Sequence, residues 1–217
     1  MSVSAVMVGA LALVAFLAFL LGSIPWGVVI SRLFFRTDLR AHGSGNIGTT
    51  NALRTLGKVG GAAVFVLDFA KGLLAGCVGW LVGVRLVSAG FGTAEEDIAK
   101  SLALFACVLG HVFSPWLRFK GGKGIAVAVG CLFITLGWVA TVFELALFAV
   151  LVVVTRYVSV GSIAAAAVCL PLSLWLLWGN PIAIALCWAM NLTVLWAHRG
   201  NIARLAAGTE HRVGQKR

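Results

Sequence analysis

Three short segments of the sequence combine glycines with basic and hydrogen-bonding side chains, a combination suited to phosphate binding. The first segment is GSGNIGTTNALR, residues 43–54. Its glycines permit tight turns and close backbone approach, and Arg54 carries a planar guanidinium suited to phosphate. A flexible polar loop without a ligand is the alternative. Besides Arg54, the candidate phosphate-binding residues here are Gly43, Ser44, Gly45, Asn46, Thr50 and Asn51.

FKGGKG, residues 119–124, is the second segment and places two lysines among three glycines. Successive backbone N–H groups in such a stretch can form a nest for an anion, with ammonium groups beside it. The segment is not a Walker A loop, because a glycine follows Lys123 where that loop requires Ser or Thr. An ordinary basic loop at a membrane face is the alternative. The candidates here are Lys120, Gly121, Gly122 and Lys123.

HRGNIARL, residues 198–205, is the third segment and carries His198, Asn201 and Arg204 at three-residue spacing. On a helix these residues share one face, so an imidazole, an amide and a guanidinium could meet one phosphate site. A basic interfacial helix that anchors the tail is the alternative. Ser159 and Ser162 are also three residues apart. Each serine either contributes a hydroxyl to the site or caps a helix.

GSGNIG also fits the pattern G-x-G-x-x-G, and Asp68 follows Gly48 by twenty residues, as in a dinucleotide-binding fingerprint. That fingerprint requires a preceding strand in a parallel sheet, whereas a basic segment leaving an apolar run precedes this loop. Asp68 and Lys71 lie three residues apart in an apolar run, which predicts a charge pair on one helix face. The few carboxylates and the five separate cysteines predict no metal site, no disulfide and no cofactor.

The elements that position these segments are predicted to be membrane helices. The chain has 217 residues, of which 61% are hydrophobic and 11% charged, and its mean hydropathy is +1.03. We therefore expect one all-α integral membrane domain over residues 1–217, with a retained first span. The apolar runs predict seven transmembrane helices, near 5–31, 59–84, 98–117, 123–137, 139–155, 160–178 and 181–197.

Basic residues lie almost entirely on one predicted side of the membrane. The connections on that side hold Arg32, Arg36, Arg40, Arg54, Lys58, Arg118, Lys120, Lys123, Arg156, Arg199, Arg204, Arg212, Lys216 and Arg217. The other side holds Arg85 and Lys100. By the positive-inside rule the N-terminus is outside and the C-terminus cytoplasmic, with all three polar segments on the cytoplasmic face. Because the net charge of +10 follows membrane topology, no nucleic acid is expected as a partner.

Six motifs occur along the chain in a characteristic order. They are GSIPWG at 22–27, DLRAHGSGNIGTTNALRTLGK, DFAKG, GHVFSPWLRFKGGKG, YVSVGS and HRGNIARLAAGTEHR. Together, over about residues 22–212, they closely resemble the bacterial acyl-phosphate:glycerol-3-phosphate acyltransferases, the PlsY family. The resemblance implies a multi-pass protein of the bacterial cytoplasmic (inner) membrane with its active site on the cytoplasmic face.

The resemblance also implies the reaction and the substrates. A fatty acyl group would pass from acyl phosphate to the 1-hydroxyl of glycerol 3-phosphate, giving lysophosphatidic acid and phosphate. This is the first acylation step of phospholipid biosynthesis, and an acyl-phosphate-forming enzyme would be a functional partner. Positioning and charge stabilisation can supply much of the acceleration, because acyl phosphate is already activated. Transfer is expected to be direct, without an acyl-enzyme.

By the same resemblance, the catalytic residues are Arg54, Lys123, Ser162, His198 and Asn201. Lys123 would bind phosphate and stabilise developing charge. The hydroxyl proton would go either to a substrate phosphate oxygen or to His198. A transporter of organic phosphates is the competing class. The crowding of polar residues on one face and the lack of paired broken helices argue against that class.

Overall fold

Nine α-helices make up most of residues 3–215, the part of the chain that the computed structural model describes. The all-helical architecture predicted from the apolar runs is confirmed. Lys216 and Arg217, two members of the predicted cytoplasmic basic set, lie outside the described residues. The helices are α1 (Val3–Ser23), α2 (Trp26–Phe35), α3 (Thr49–Ser88), α4 (Ala94–Val112), α5 (Ile125–Thr135), α6 (Trp138–Thr155), α7 (Val158–Leu176), α8 (Pro181–Ala197) and α9 (Arg199–Ala206).

Several of these helices are long and apolar enough to cross a membrane. Five segments of the described chain meet that condition: Ser4–Phe35, Thr49–Ser88, Ala94–Leu117, Trp138–Thr155 and Val158–Leu176. α8 and α9 provide a sixth when counted together, although they are bent by 50°. α5 has only 11 residues and is therefore about 16 Å long, roughly half the hydrocarbon thickness. The chain is a multi-pass membrane protein with five or six long segments and one short apolar helix.

Three predicted helices differ from the observed ones at prolines and glycines. The run predicted near 5–31 breaks after Ser23, because Pro25 lacks the N–H that a continuous helix needs. α3 begins well before residue 59 and bends at Gly57, whose φ of 76° is not helical. α5 is shorter than the predicted 123–137, because Gly124 and Gly137 have φ of 84° and 85°. The bend in α3 separates a polar first section, which carries Arg54, from the apolar section that follows.

α4 lies at the centre of the bundle, where it packs against α1, α3, α5 and α8. Leu104 at its middle is completely buried. α3 and α5 approach closely because Gly72 faces the Val127 backbone, where a Cβ would clash. Asp68 and Lys71 of α3 pair at 2.9 Å with side chains 3% exposed, which confirms the predicted charge pair. This packing holds the loop before α5 beside α3 and the end of α4.

Candidate active site

The first glycine segment is shaped by Asn51, whose buried side chain lies in the first turn of α3. Its Oδ1 accepts a hydrogen bond from the Ser44 N–H at 2.9 Å. Its Nδ2 lies within donating distance of the carbonyls of Leu39, His42 and Asn46, at 3.1, 3.0 and 2.8 Å. Gly43 and Gly45 have φ of 59° and 69°, a left-handed backbone that suits glycine. Asn51 thus holds the loop in shape from within.

The second segment folds back onto the last turn of α4 before it enters α5. The N–H groups of Gly121 and Gly122 donate to carbonyls at the end of α4 at 3.0 and 3.1 Å. These two amides are therefore used in anchoring the loop and do not form the predicted anion nest. A Cβ on Gly121 would meet the His111 carbonyl, and a Cβ on Gly122 would meet the His111 ring. The anchored loop directs Lys123 into a cavity, whereas Lys120 is exposed.

The third segment lies at the bend between α8 and α9, where His198 and Asn201 are buried. His198 Nδ1 lies 2.8 Å from the Val194 carbonyl. Because a carbonyl only accepts, Nδ1 carries the hydrogen, and in the neutral ring Nε2 is an acceptor. The bend thus presents an imidazole with a defined tautomer at the cytoplasmic ends predicted for these helices.

Glu210, in the tail after α9, joins the third segment to α7. Its carboxylate accepts hydrogen bonds from Asn201 Nδ2 at 2.7 Å, from Arg204 Nε at 2.7 Å and from Ser159 Oγ at 2.9 Å. Burial by itself raises the pKa of Glu210, but these hydrogen bonds outweigh it and hold the pKa below its usual range. Glu210 is therefore an internal anion that orders the amide and guanidinium around it. Ser162, one turn further along α7, donates to the Val158 carbonyl at 3.0 Å.

The three segments meet at one cavity of about 290 Å³. We call the region lined by Arg54, Lys123, His198, Asn201 and Arg204 its polar end. The remaining wall includes a group of apolar side chains, which we call the apolar chamber. These side chains are Phe65, Ile125, Ala126, Val129, Leu145, Phe148, Val158 and Ala165. One cavity thus combines clustered cations with space for an apolar group.

The pKa of Lys123, a cation of the polar end, is strongly perturbed. Burial lowers the pKa of its ammonium to about 8; the Glu210 charge opposes this shift, and the Arg204 and Arg54 charges add to it. The pKa therefore falls toward neutrality, because the ammonium is partly desolvated and experiences the charges of two guanidinium groups. Glu210 already compensates Arg204, so an anionic ligand at this end would compensate mainly the charges of Lys123 and Arg54.

Eleven of the sixteen predicted site residues line the cavity. They are Ser44, Asn46, Thr50, Asn51, Arg54, Lys123, Ser159, Ser162, His198, Asn201 and Arg204. The other five, Gly43, Gly45, Lys120, Gly121 and Gly122, do not line it. Four of these five are glycines that shape the two loops, and Lys120 points away from the cavity. The three segments share glycines with basic and hydrogen-bonding side chains, and the structure brings all three to one cavity.

Several lining residues were not among the sequence candidates. Glu210 and His211 belong to the tail, and Thr49 begins α3. His111 and Glu144 reach the cavity from α4 and α6. The signal available in the sequence was weak: Glu210 is a single carboxylate in an otherwise basic tail, and Glu144 a single acid in an apolar run. Neither spacing nor composition shows that these side chains face the same space.

The polar end can bind phosphate by charge and hydrogen bonding, and it can stabilise negative charge that develops during a reaction. Burial of His198 and Asn201 and partial burial of Lys123 strengthen their interactions relative to water, whereas Arg54 is exposed. Nε2 of His198 can accept a proton, and Asn201 is held by Glu210 at a fixed orientation. The cavity is therefore suited to a reaction between phosphorylated molecules, one of which carries an apolar chain.

Comparison with known proteins identifies the same family as the sequence motifs. A family model described as glycerol-3-phosphate acyltransferase matches residues 12–208. The glycerol-3-phosphate acyltransferase of Rhodopseudomonas palustris (strain BisB5) is 42% identical over 201 residues, which cover 93% of this chain and 95% of that protein. That of Clostridioides difficile (strain 630) is 35% identical over 209 residues, which cover 94% and 96%.

A solved structure supports the likeness in three dimensions. The crystal structure of PlsY, an integral membrane glycerol 3-phosphate acyltransferase, in its glycerol 3-phosphate form is similar with a TM-score of 0.80 and 34% identity. The similarity covers 94% of this chain and 96% of that one. The fold is therefore that of an integral membrane acyltransferase.

Proposed function

Because the chain belongs to the PlsY family of glycerol-3-phosphate acyltransferases, we propose that it transfers a fatty acyl group from acyl phosphate to the 1-hydroxyl of sn-glycerol 3-phosphate. The products are 1-acylglycerol 3-phosphate and inorganic phosphate. The donor must come from an enzyme that forms acyl phosphate, and that enzyme is the expected functional partner. Neither a metal nor an organic cofactor enters the proposed reaction.

One observation carries the proposal: a single cavity joins a polar end with three basic side chains and one carboxylate to an apolar chamber. Acyl phosphate presents a phosphate and an acyl chain, and glycerol 3-phosphate presents a second phosphate. The polar end suits both phosphates, and the chamber suits the proximal part of the chain. The apolar exterior of the helices supports delivery of the donor from the bilayer.

Each residue of the polar end has a proposed role that follows from its side-chain chemistry. Arg54 and Arg204 bind phosphate through planar N–H forks, and Lys123 stabilises charge on the leaving phosphate. Asn201 donates to substrate, and Ser44, Asn46, Thr50, Ser159 and Ser162 supply hydroxyl or amide contacts around it. Asn51 and the glycines at 43, 45, 121 and 122 keep the two loops in position. Lys120 contributes positive charge from outside the cavity.

Transfer is proposed to occur in one displacement. The glycerol 3-phosphate hydroxyl oxygen bonds to the acyl carbon, the bond from that carbon to the phosphate oxygen breaks, and phosphate leaves. The hydroxyl proton passes either to an oxygen of the departing phosphate or to His198 Nε2. Trapping an acylated protein during a single turnover in the absence of glycerol 3-phosphate would contradict direct transfer.

The topology is proposed to follow the distribution of basic residues. Seven crossings, with the short α5 as the fourth, place the N-terminus outside, the C-terminus inside and the cavity at the cytoplasmic face of the inner membrane. A cysteine introduced at an exposed position of the tail, such as Val213, tests this orientation. It should react with a membrane-impermeant maleimide only after cells are opened.

The function is tested with purified protein in detergent micelles, supplied with a long-chain acyl phosphate. Phosphate release that requires glycerol 3-phosphate, with an acylated glycerol phosphate as the second product, is the expected result. Release that is indifferent to glycerol 3-phosphate would refute acyl transfer. Uptake of glycerol 3-phosphate into liposomes without any product would instead identify a transporter.

A further inference from the structure

We propose that His111 is an additional catalytic residue of this reaction, whose Nε2–H donates a hydrogen bond to the acyl carbonyl oxygen, and that the buried Lys71 is the positioning residue that makes Nε2 a donor. The inference rests on the proposed acyl transfer. It follows from the hydrogen bonds around the imidazole and from the place of His111 in the cavity wall.

Lys71 fixes which ring nitrogen of His111 carries the hydrogen. Its Nζ is 2.9 Å from Asp68 Oδ1, 2.7 Å from the Ile24 carbonyl and 3.0 Å from His111 Nδ1. An ammonium has only N–H donors and no acceptor, so the Ile24 carbonyl and His111 Nδ1 both accept from it, while the Asp68 carboxylate compensates its charge as an ion pair. Nδ1 of the neutral imidazole is then the acceptor, and the hydrogen is on Nε2.

Nε2 is left to face the cavity. His111 is 3% exposed and lines the cavity wall. Within residues 3–215, Nε2 has no hydrogen-bond partner. The ring packs against Gly122, where a Cβ would collide with Nε2. Nε2 is not among the fully buried polar atoms that lack a partner, so it keeps surface accessible from the cavity, where a ligand can supply the acceptor.

The position of the ring matches that of a carbonyl in the donor. Gly122 directly precedes Lys123 of the polar end, so the ring lies beside the loop that would bind phosphate. At the opposite nitrogen of the ring, Nδ1 lies 3.9 Å from Asp68 Oδ1, and Asp68 is one helical turn from Phe65 of the apolar chamber. In acyl phosphate the carbonyl lies between the phosphate and the chain. A neutral donor at this boundary can stabilise the oxyanion that develops when the hydroxyl attacks.

Two amide variants separate this role from a purely structural one. In His111→Gln the longer side chain brings an N–H group near the position of Nε2 but offers Lys71 no well-placed acceptor. In His111→Asn the shorter side chain can accept from Lys71 near the position of Nδ1 but leaves the cavity without a donor. A structural role therefore favours the Asn variant, whereas an oxyanion role favours the Gln variant.

The measurement is the kcat and both KM values for acyl phosphate and glycerol 3-phosphate with purified variants. We expect His111→Asn to lower kcat by about 100-fold, with KM values little changed, and His111→Gln to retain most of kcat. His42→Gln is the matched control, since His42 is exposed and outside the cavity wall. Equal kcat values for the two His111 variants, or a faster Asn variant, would overturn the proposal. If the wild-type protein itself shows no acyl transfer, the proposed function is refuted instead.

A second measurement reads the tautomer of His111 directly in the wild-type protein. The chain has four histidines, so the imidazole nitrogens of wild-type protein labelled with ¹⁵N-histidine can be assigned with single variants. His111 is expected to be the Nε2–H tautomer, and Lys71→Met is expected to mix the tautomers. An Nδ1–H tautomer in the wild-type protein would refute the role of Lys71.

Discussion

Deprotonation of the Lys123 ammonium should lower activity at alkaline pH. Burial lowers the pKa of Lys123 to about 8, with opposing and reinforcing contributions from Glu210 and from the two guanidinium groups. The cationic form, which is the form proposed to bind phosphate, is therefore present below pH 8 and lost above it. At pH 9 roughly one molecule in ten keeps the charge, so kcat/KM should be about tenfold below its plateau.

The assay is phosphate release as a function of pH, with spontaneous hydrolysis of acyl phosphate subtracted. The decrease of kcat/KM at alkaline pH, the alkaline limb of the profile, reports the pKa of Lys123 in the free protein. Bound phosphate raises this pKa, so the alkaline limb of kcat lies at higher pH. In Lys123→Arg the guanidinium stays charged throughout this range, so the alkaline limb should disappear even where the absolute rate is lower. A limb that persists unchanged in Lys123→Arg would refute the assignment of this titration to Lys123.

Three other substitutions test the site and the core around it. Arg54→Ala should lower kcat/KM at least 100-fold without lowering the thermal unfolding temperature. Lys58 is exposed on the same helix outside the cavity, so Lys58→Ala should leave kcat/KM unchanged. Similar kcat/KM values for the two variants would remove Arg54 from the site. Glu210→Gln removes a charge that raises the Lys123 pKa, so the alkaline limb should move to lower pH; a limb that moves upward would contradict this. Asp68→Asn should lower the free energy of unfolding by about 3–5 kcal/mol, because it leaves the charge of Lys71 unpaired in the core. Asp38→Asn removes a charge from a partly exposed ion pair and should cost about 0–1 kcal/mol. Equal losses in unfolding temperature would show that burial of the pair is unimportant.

The helices were the most predictable part of the molecule, because lipid leaves a chain few alternatives. Hydropathy alone located most long segments, and the i,i+3 spacing identified the Asp68–Lys71 pair. The length of α5 was not predictable from hydropathy, since Gly124 and Gly137 end the helix through their backbone conformation. A glycine in an apolar run does not reveal its φ.

The candidate site was predictable where the residues of one segment act together. His198, Asn201 and Arg204 were identified from helical spacing, and all three line the cavity. Glu210 was missed as a partner because its contact with Ser159 joins residues 51 positions apart. The tautomer of His111 likewise depends on a lysine 40 positions away. Such contacts between distant parts of the chain require the folded structure.

The most direct test of the account is the stoichiometry of a single reaction with purified protein. With acyl phosphate and glycerol 3-phosphate, we predict one 1-acylglycerol 3-phosphate for each phosphate released, and loss of both products together in Lys123→Ala. Phosphate release without an equal amount of acylated product would contradict it, as would unchanged acyl transfer in Lys123→Ala.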